Sequence, residues 1–121
     1  MDIRLKRAYD PPESRDGYRV LIDRLWPRGV SRERAELDCW EKELAPSKEL
    51  RQWFGHEPRR FEEFRRRYLE ELGSRRQLLT ALRRRARAGT LTLVYAAHDT
   101  ENNDAVVLAE VLRRGLPRGQ G

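Results

Sequence analysis

Residues 3–9, Ile-Arg-Leu-Lys-Arg-Ala-Tyr, alternate apolar and charged side chains with the two-residue period of a strand. Asp10, Pro11 and Pro12 break the pattern, and Asp16-Gly17 signals a turn. Residues 18–26 resume it, but Val20, Leu21, Ile22 and Leu25 fall on both faces, which predicts a strand covered from two sides. Pro27-Arg28-Gly29 ends that run. Ser31 is placed to cap a short helix through about Glu36. Residues 37–44 fit neither period. Ser47 opens a helix with Leu50, Trp53 and Phe54 inside, and Gly55 suits the left-handed residue beyond its end. From Arg59, the apolar positions Phe61, Phe64, Tyr68, Leu69 and Leu72 make a helical stripe, supported by Glu62–Arg66 and Glu63–Arg67 pairs. Gly73 closes it, and Ser74 with Gln77 has the spacing of a capping box for a further helix with Leu78, Leu79, Leu82 and Ala86 inside. After Gly89, residues 90–97 predict a strand. A polar loop over 98–103 leads into a last helix from about Asp104 to Arg114, with Val107, Leu108, Val111 and Leu112 on its inner face.

The order strand, strand, several helices, strand, helix predicts an α/β fold. We expect a small three-layer domain, with a short, mostly parallel sheet of about three strands flanked by four to five helices. The runs from Arg19 to Trp26 and from Thr90 to Ala97 are expected to be adjacent and parallel, with helices on both faces. The connection from Ala8 to Tyr18 is short for a crossover, so the first strand is expected to be antiparallel or at an edge. A single domain over 1–121 is expected, with 115–121 a flexible tail.

Composition narrows the classes. Hydrophobic and charged residues each make up 38% of the 121, and three Trp, four Tyr and three Phe favour a packed globule over disorder. No apolar run is long enough to span a bilayer and the start lacks a signal-peptide core, so a cytoplasmic protein that engages no membrane is expected. Cys39 alone permits no internal disulfide and no cysteine zinc cage, and His56 and His98 stand far apart, so no metal and no cofactor are expected. The net charge of +6 is local. Residues 59–88 hold eleven Arg against four Glu, and the remainder is nearly neutral. Such a segment suits either a solvated helix face or a polyanion-binding one.

Candidate chemistry lies where α/β sheets place ligands, beyond the carboxyl ends of the strands. One such end supplies Asp23, Arg24, Trp26 and Arg28; the other supplies His98, Asp99, Asn102 and Asn103. Arg24 and Arg28 suit an anionic group, with Trp26 as core or pocket wall and Asn102 and Asn103 as ligand contacts or helix caps. His98, Asp99 and Asp23 are the candidates for moving a proton, Asp23 alternatively serving a structural ion pair. Cys39, with no cation beside it, reads as structural.

The string Arg19-Val-Leu-Ile-Asp-Arg-Leu-Trp-Pro-Arg-Gly29, followed by Ala45-Pro46-Ser47, Trp53-Phe54-Gly55-His56 and Thr92-Leu-Val-Tyr-Ala-Ala-His98-Asp99, resembles the YeaO-like branch of the domain-of-unknown-function family 488, DUF-488. The resemblance covers about residues 3–112 and implies no particular reaction. The order of elements is also distantly similar to rhodanese-like domains, which carry a nucleophilic cysteine in the late loop. Here that loop reads Ala97-His98-Asp99, so an anion cradle without thiol chemistry is what the analogy implies. Two functions follow. The first is a small ligand-binding domain or enzyme with an anion pocket at the strand ends. The second is a nucleic-acid-binding or partner-binding module using Arg76, Arg83 and Arg87, with weak, sequence-blind binding expected. Oligomeric state is left open.

Overall fold

The computed structural model describes residues 1–117. Four parallel strands form one sheet: β1 (Asp2–Arg7), β2 (Tyr18–Leu21), β3 (Cys39–Trp40) and β4 (Thr90–Tyr95), in the order β1-β4-β2-β3. Ile3 lies opposite Leu91, Val20 opposite Leu93 and Leu21 opposite Trp40. The two-residue side-chain period then divides the strands between two cores. Val20, Ile22, Leu91, Leu93 and Tyr95 enter the larger one. It is closed by α2 (Lys48–Phe54), α3 (Phe61–Leu72), α4 (Arg76–Ala88) and α5 (Asp104–Arg114). Leu21 and Val94 face the other way, toward Ala8, Trp26, Leu37 and Trp40. This second face is covered by one turn of helix, α1 (Arg32–Ala35), and by loops. Both faces are covered, but the helical mass is on one side.

The class expected from sequence holds; its details shift. The sheet has four strands because two residues of the segment without a clear period, Cys39 and Trp40, add to the edge of β2. β1 is an edge strand but parallel: β4 inserts between β1 and β2, so the short connection links strands that are not neighbours. β2 stops at Leu21 because Asp23, two residues on, turns its carboxylate to the Ala96 N–H at 2.8 Å. Residues 24–30 then leave the sheet, exposing Leu25 (62%). Ser74 does not cap α4. Its N–H and hydroxyl both bond to the Glu71 carbonyl, prolonging the end of α3, and Arg75 occupies the N-cap position without a side-chain cap. On α3, Arg66 pairs with Glu63 and Glu70 and not with Glu62, whereas Arg67 does pair with Glu63 at 2.8 Å. The tail expected over 115–121 falls in part, at 118–121, outside the described residues.

A buried polar network secures the thin side. Arg19, 4% exposed, donates to Asp16 at 2.7 Å and to the Ala35 carbonyl, and Lys6 reaches the same carboxylate at 3.1 Å. Thr92 donates to the Asp16 carbonyl. Burial pushes the Asp16 carboxyl up, but the Glu13 N–H, Lys6 and Arg19 outweigh it and hold the group below the usual carboxylate range. Gly17 permits this approach: its φ is +64°, and a Cβ there would sit 2.3 Å from the Thr90 carbonyl oxygen. Among the described residues no helix is long and apolar enough to cross a membrane.

Candidate functional site

A cavity of about 640 Å³ opens at the carboxyl edge of β2 and β4, the size range of small-molecule sites. Parallel strands make it: Asp23, Arg24, Trp26 and Arg28 follow β2, and Ala97, His98, Asp99, Asn103 and Asp104 follow β4. The far wall comes from the helical side. Phe54 and Phe64, both buried, stack with centroids 4.4 Å apart, and Arg51 and His56 stand beside them. Gly55 and His56 are both left-handed (φ +52° and +57°), which turns the chain sharply after α2 and carries the exposed His56 ring to the cavity. A positive φ is uncommon for a residue with a Cβ and concentrates at functional sites.

The loop after β2 is held from several sides. Trp26 donates to the Val30 carbonyl at 2.6 Å and meets Trp40 edge-on at 5.2 Å. Trp40 donates to the Asp23 carbonyl at 2.7 Å, and Arg24 to the Pro46 carbonyl at 3.3 Å. Arg7 fastens the end of β4 by donating to the carbonyls of Ala97 and Ala96, and its guanidinium lies 3.4 Å from His98 Nδ1. Rigid walls of this kind are what a preformed site requires.

The most distinctive chemistry is a pair of carboxyl groups. Asp104 begins α5, and its carboxyl hydrogen-bonds that of Asp23. Burial raises the Asp104 carboxyl well above its ordinary range, and the charge and hydrogen bond of Asp23 raise it further. The backbone N–H groups of Ala105 and Asp104 oppose the shift without reversing it. Burial and the neighbouring carboxylate thus favour the protonated form of Asp104, which sets an O–H donor beside the acceptor oxygens of Asp23.

Asn103 is the N-cap of α5; its side chain accepts from Val106 N–H at 3.0 Å and donates to the Asp99 carbonyl. Asp99 is engaged within its own loop. It accepts from the side chain and N–H of Asn102 and from Glu101 N–H, which hold its carboxyl below the usual range. Asn102 thus braces Asp99 and does not line the cavity. The structure brings together Asp23, Arg24, Trp26, Arg28, His98, Asp99 and Asn103. Arg76, Arg83 and Arg87 lie on α4, away from this lining. Sequence reasoning missed Asp104, Arg51, His56, Phe54 and Phe64. Asp104 resembles any acidic residue favouring a helix start, and the two phenylalanines resemble ordinary core. Only His56, following Gly55 past a helix end, gave a local signal.

The fold and the cavity define a class of parallel α/β domains with a ligand-sized cavity beyond the carboxyl ends of the central strands. Within that class the chain belongs to the DUF488 family: residues 2–120 match the group described as "Inactive DUF488-N3 subclade". It is 48% identical over 113 residues to the uncharacterized protein YeaO of Escherichia coli (strain K12), covering 93% of this chain and 98% of that one. It is 41% identical over 110 residues to the uncharacterized proteins Mb3100c of Mycobacterium bovis and Rv3073c of Mycobacterium tuberculosis, covering 91% of this chain and 92% of each. No solved structure matches.

Proposed function

We propose that the protein is a binding domain for a small molecule carrying an acidic group at one end, an apolar or aromatic middle, and a hydrogen-bonding nitrogen at the other. The observation that carries this reading is the convergence of the Asp23–Asp104 pair with Arg24, Arg28 and Arg51 in one cavity walled by Phe54, Phe64 and Trp26. Three guanidinium groups line the cavity, and the raised Asp104 carboxyl lessens the negative charge that faces them. An anion is therefore accepted at the arginine side, where planar forks match a carboxylate or phosphate. The carboxyl pair accepts an N–H and donates to a lone pair, as an amine or ring nitrogen requires. Binding without turnover fits a subclade described as inactive.

The test uses 4-aminobenzoate, benzoate and aniline as probes, with binding followed by amide chemical shifts. 4-Aminobenzoate is expected to bind best and to shift residues after both β2 and β4. Arg28→Gln with Arg51→Gln should weaken the two carboxylates and leave aniline unchanged; Asp23→Asn should weaken the two amines and leave benzoate unchanged. Failure of all three probes to shift cavity residues at millimolar concentration would remove the proposal.

A further inference from the structure

The eleven arginines of residues 59–88 do not form one basic surface. Those on α3 are neutralised. Arg65 is held by Glu110 at 2.5 Å, Arg66 by Glu63 and Glu70 at 2.6 Å each, and Arg67 by Glu63 at 2.8 Å. Just before α4, Arg75 pairs with Glu43 at 2.8 Å. α4 itself contains no acidic residue. Among the described residues, no carboxylate pairs with its Arg83, Arg84 or Arg87. Arg85 is turned aside, over the Tyr18 ring at 4.1 Å.

The fold adds to this face. α4 ends directly before β4, so Arg83, Arg84 and Arg87 lie toward the amino edge of the sheet, opposite the cavity. The end of α5 reaches the same edge, where the exposed Arg113 donates to the Ile3 carbonyl at 2.9 Å. Four guanidinium groups without carboxylate partners thus gather at one edge from two packed helices. Arg83 is half-buried with its Nε enclosed, so its stem is already held against the protein and loses less freedom on binding.

We propose that this edge, formed by Arg83, Arg84, Arg87 and Arg113, binds the phosphodiester backbone of duplex nucleic acid without reading sequence. Duplex phosphates lie one charge per about 1.7 Å of axis, a density that a rigid helix about 20 Å long meets at several points. The exposed α4 positions that are not arginine, Gln77, Thr80, Ala81 and Ala88, supply no aromatic or large apolar anchor. A protein partner would need such an anchor at the centre of its interface, and single strands would need rings for base stacking. Beyond its arginines the face carries only Gln, Thr and Ala, so binding is expected to follow salt and not sequence.

The experiment is fluorescence anisotropy of the whole protein with a labelled mixed-sequence duplex of about 20 base pairs, from about 50 to 200 mM salt. Three or four phosphate contacts give a log–log salt slope of about −3 to −4. Arg83→Gln, Arg84→Gln and Arg87→Gln together should flatten it by about two to three. A control triple, Arg59→Gln, Arg66→Gln and Arg67→Gln, removes the same net charge and should leave the slope within about one unit of wild type. Circular dichroism melts establish that both triples fold; should the first not, Arg84→Gln alone, at an exposed site, should flatten the slope by about one. The proposal is overturned by no binding at the lowest salt, by equal losses in the two triples, or by tighter binding of a polyglutamate peptide than of the duplex.

Discussion

Asp104→Asn isolates the carboxyl pair from everything else in the cavity. The change keeps the side-chain shape and the first helical position of α5, and it removes the one group that burial and Asp23 hold protonated. In the unfolded chain Asp104 loses its proton near pH 3.9, whereas in the folded protein it keeps it to well above that value. Between those limits the folded state binds one more proton than the unfolded state, so stability falls as pH rises, by about 1.4 kcal/mol per unit. Asparagine has no proton to lose. The variant should therefore gain on wild type as the pH rises above about 4, by up to about 1.4 kcal/mol per unit, against a total stability on the order of 5–15 kcal/mol. The charged groups that share the cavity do not disturb the comparison. Arg24, Arg28, Arg51, His56 and His98 are present in both proteins, and Asp99 titrates below the window. Tyr68, whose buried hydroxyl both carboxylates help to push up, titrates far above it. Urea denaturation at each pH gives the difference directly. A stability difference that stays constant as the pH rises from about 4 to 6 would show that the Asp104 carboxyl is not raised in the folded protein.

Two further predictions concern the network that secures the thin face of the sheet. Gly17→Ala should destabilise by more than about 1 kcal/mol, because the new methyl meets the Thr90 carbonyl and the residue holds a positive φ; a change of a few tenths in urea denaturation would contradict this. Asp16→Asn should cost about 3–5 kcal/mol, since it leaves the buried Arg19 charge without its carboxylate. Because Asp16 titrates below its ordinary value when folded, its wild-type contribution is present above about pH 4 and is lost as pH falls through that lower value. Loss of stability by wild type and the Asn variant in parallel between pH 4 and pH 2 would disprove it.

Local patterning and capping determined the longer helices, the strands β1, β2 and β4, and the fold class. The stripe from Phe61 to Leu72, the caps at Ser31, Ser47 and Asn103, and the apolar runs around Val20 and Leu93 each depend on neighbours within a few residues, and each forms where expected. The general place of the cavity followed too, because parallel strands bring the chain after Leu21 and after Tyr95 to one edge whatever the loops contain. What the tertiary structure decided depends on residues distant in sequence. The two-residue strand at Cys39 exists only through its pairing with β2. Whether an arginine is neutralised is settled by which carboxylate lies beside it in space, so Arg65 and Arg83, alike in sequence, differ through Glu110 on another helix. Asp104 looks like an ordinary helix-start acid until the sheet lays Asp23 against it. A pKa is set by burial and neighbouring charge, and neither quantity exists before the chain has folded.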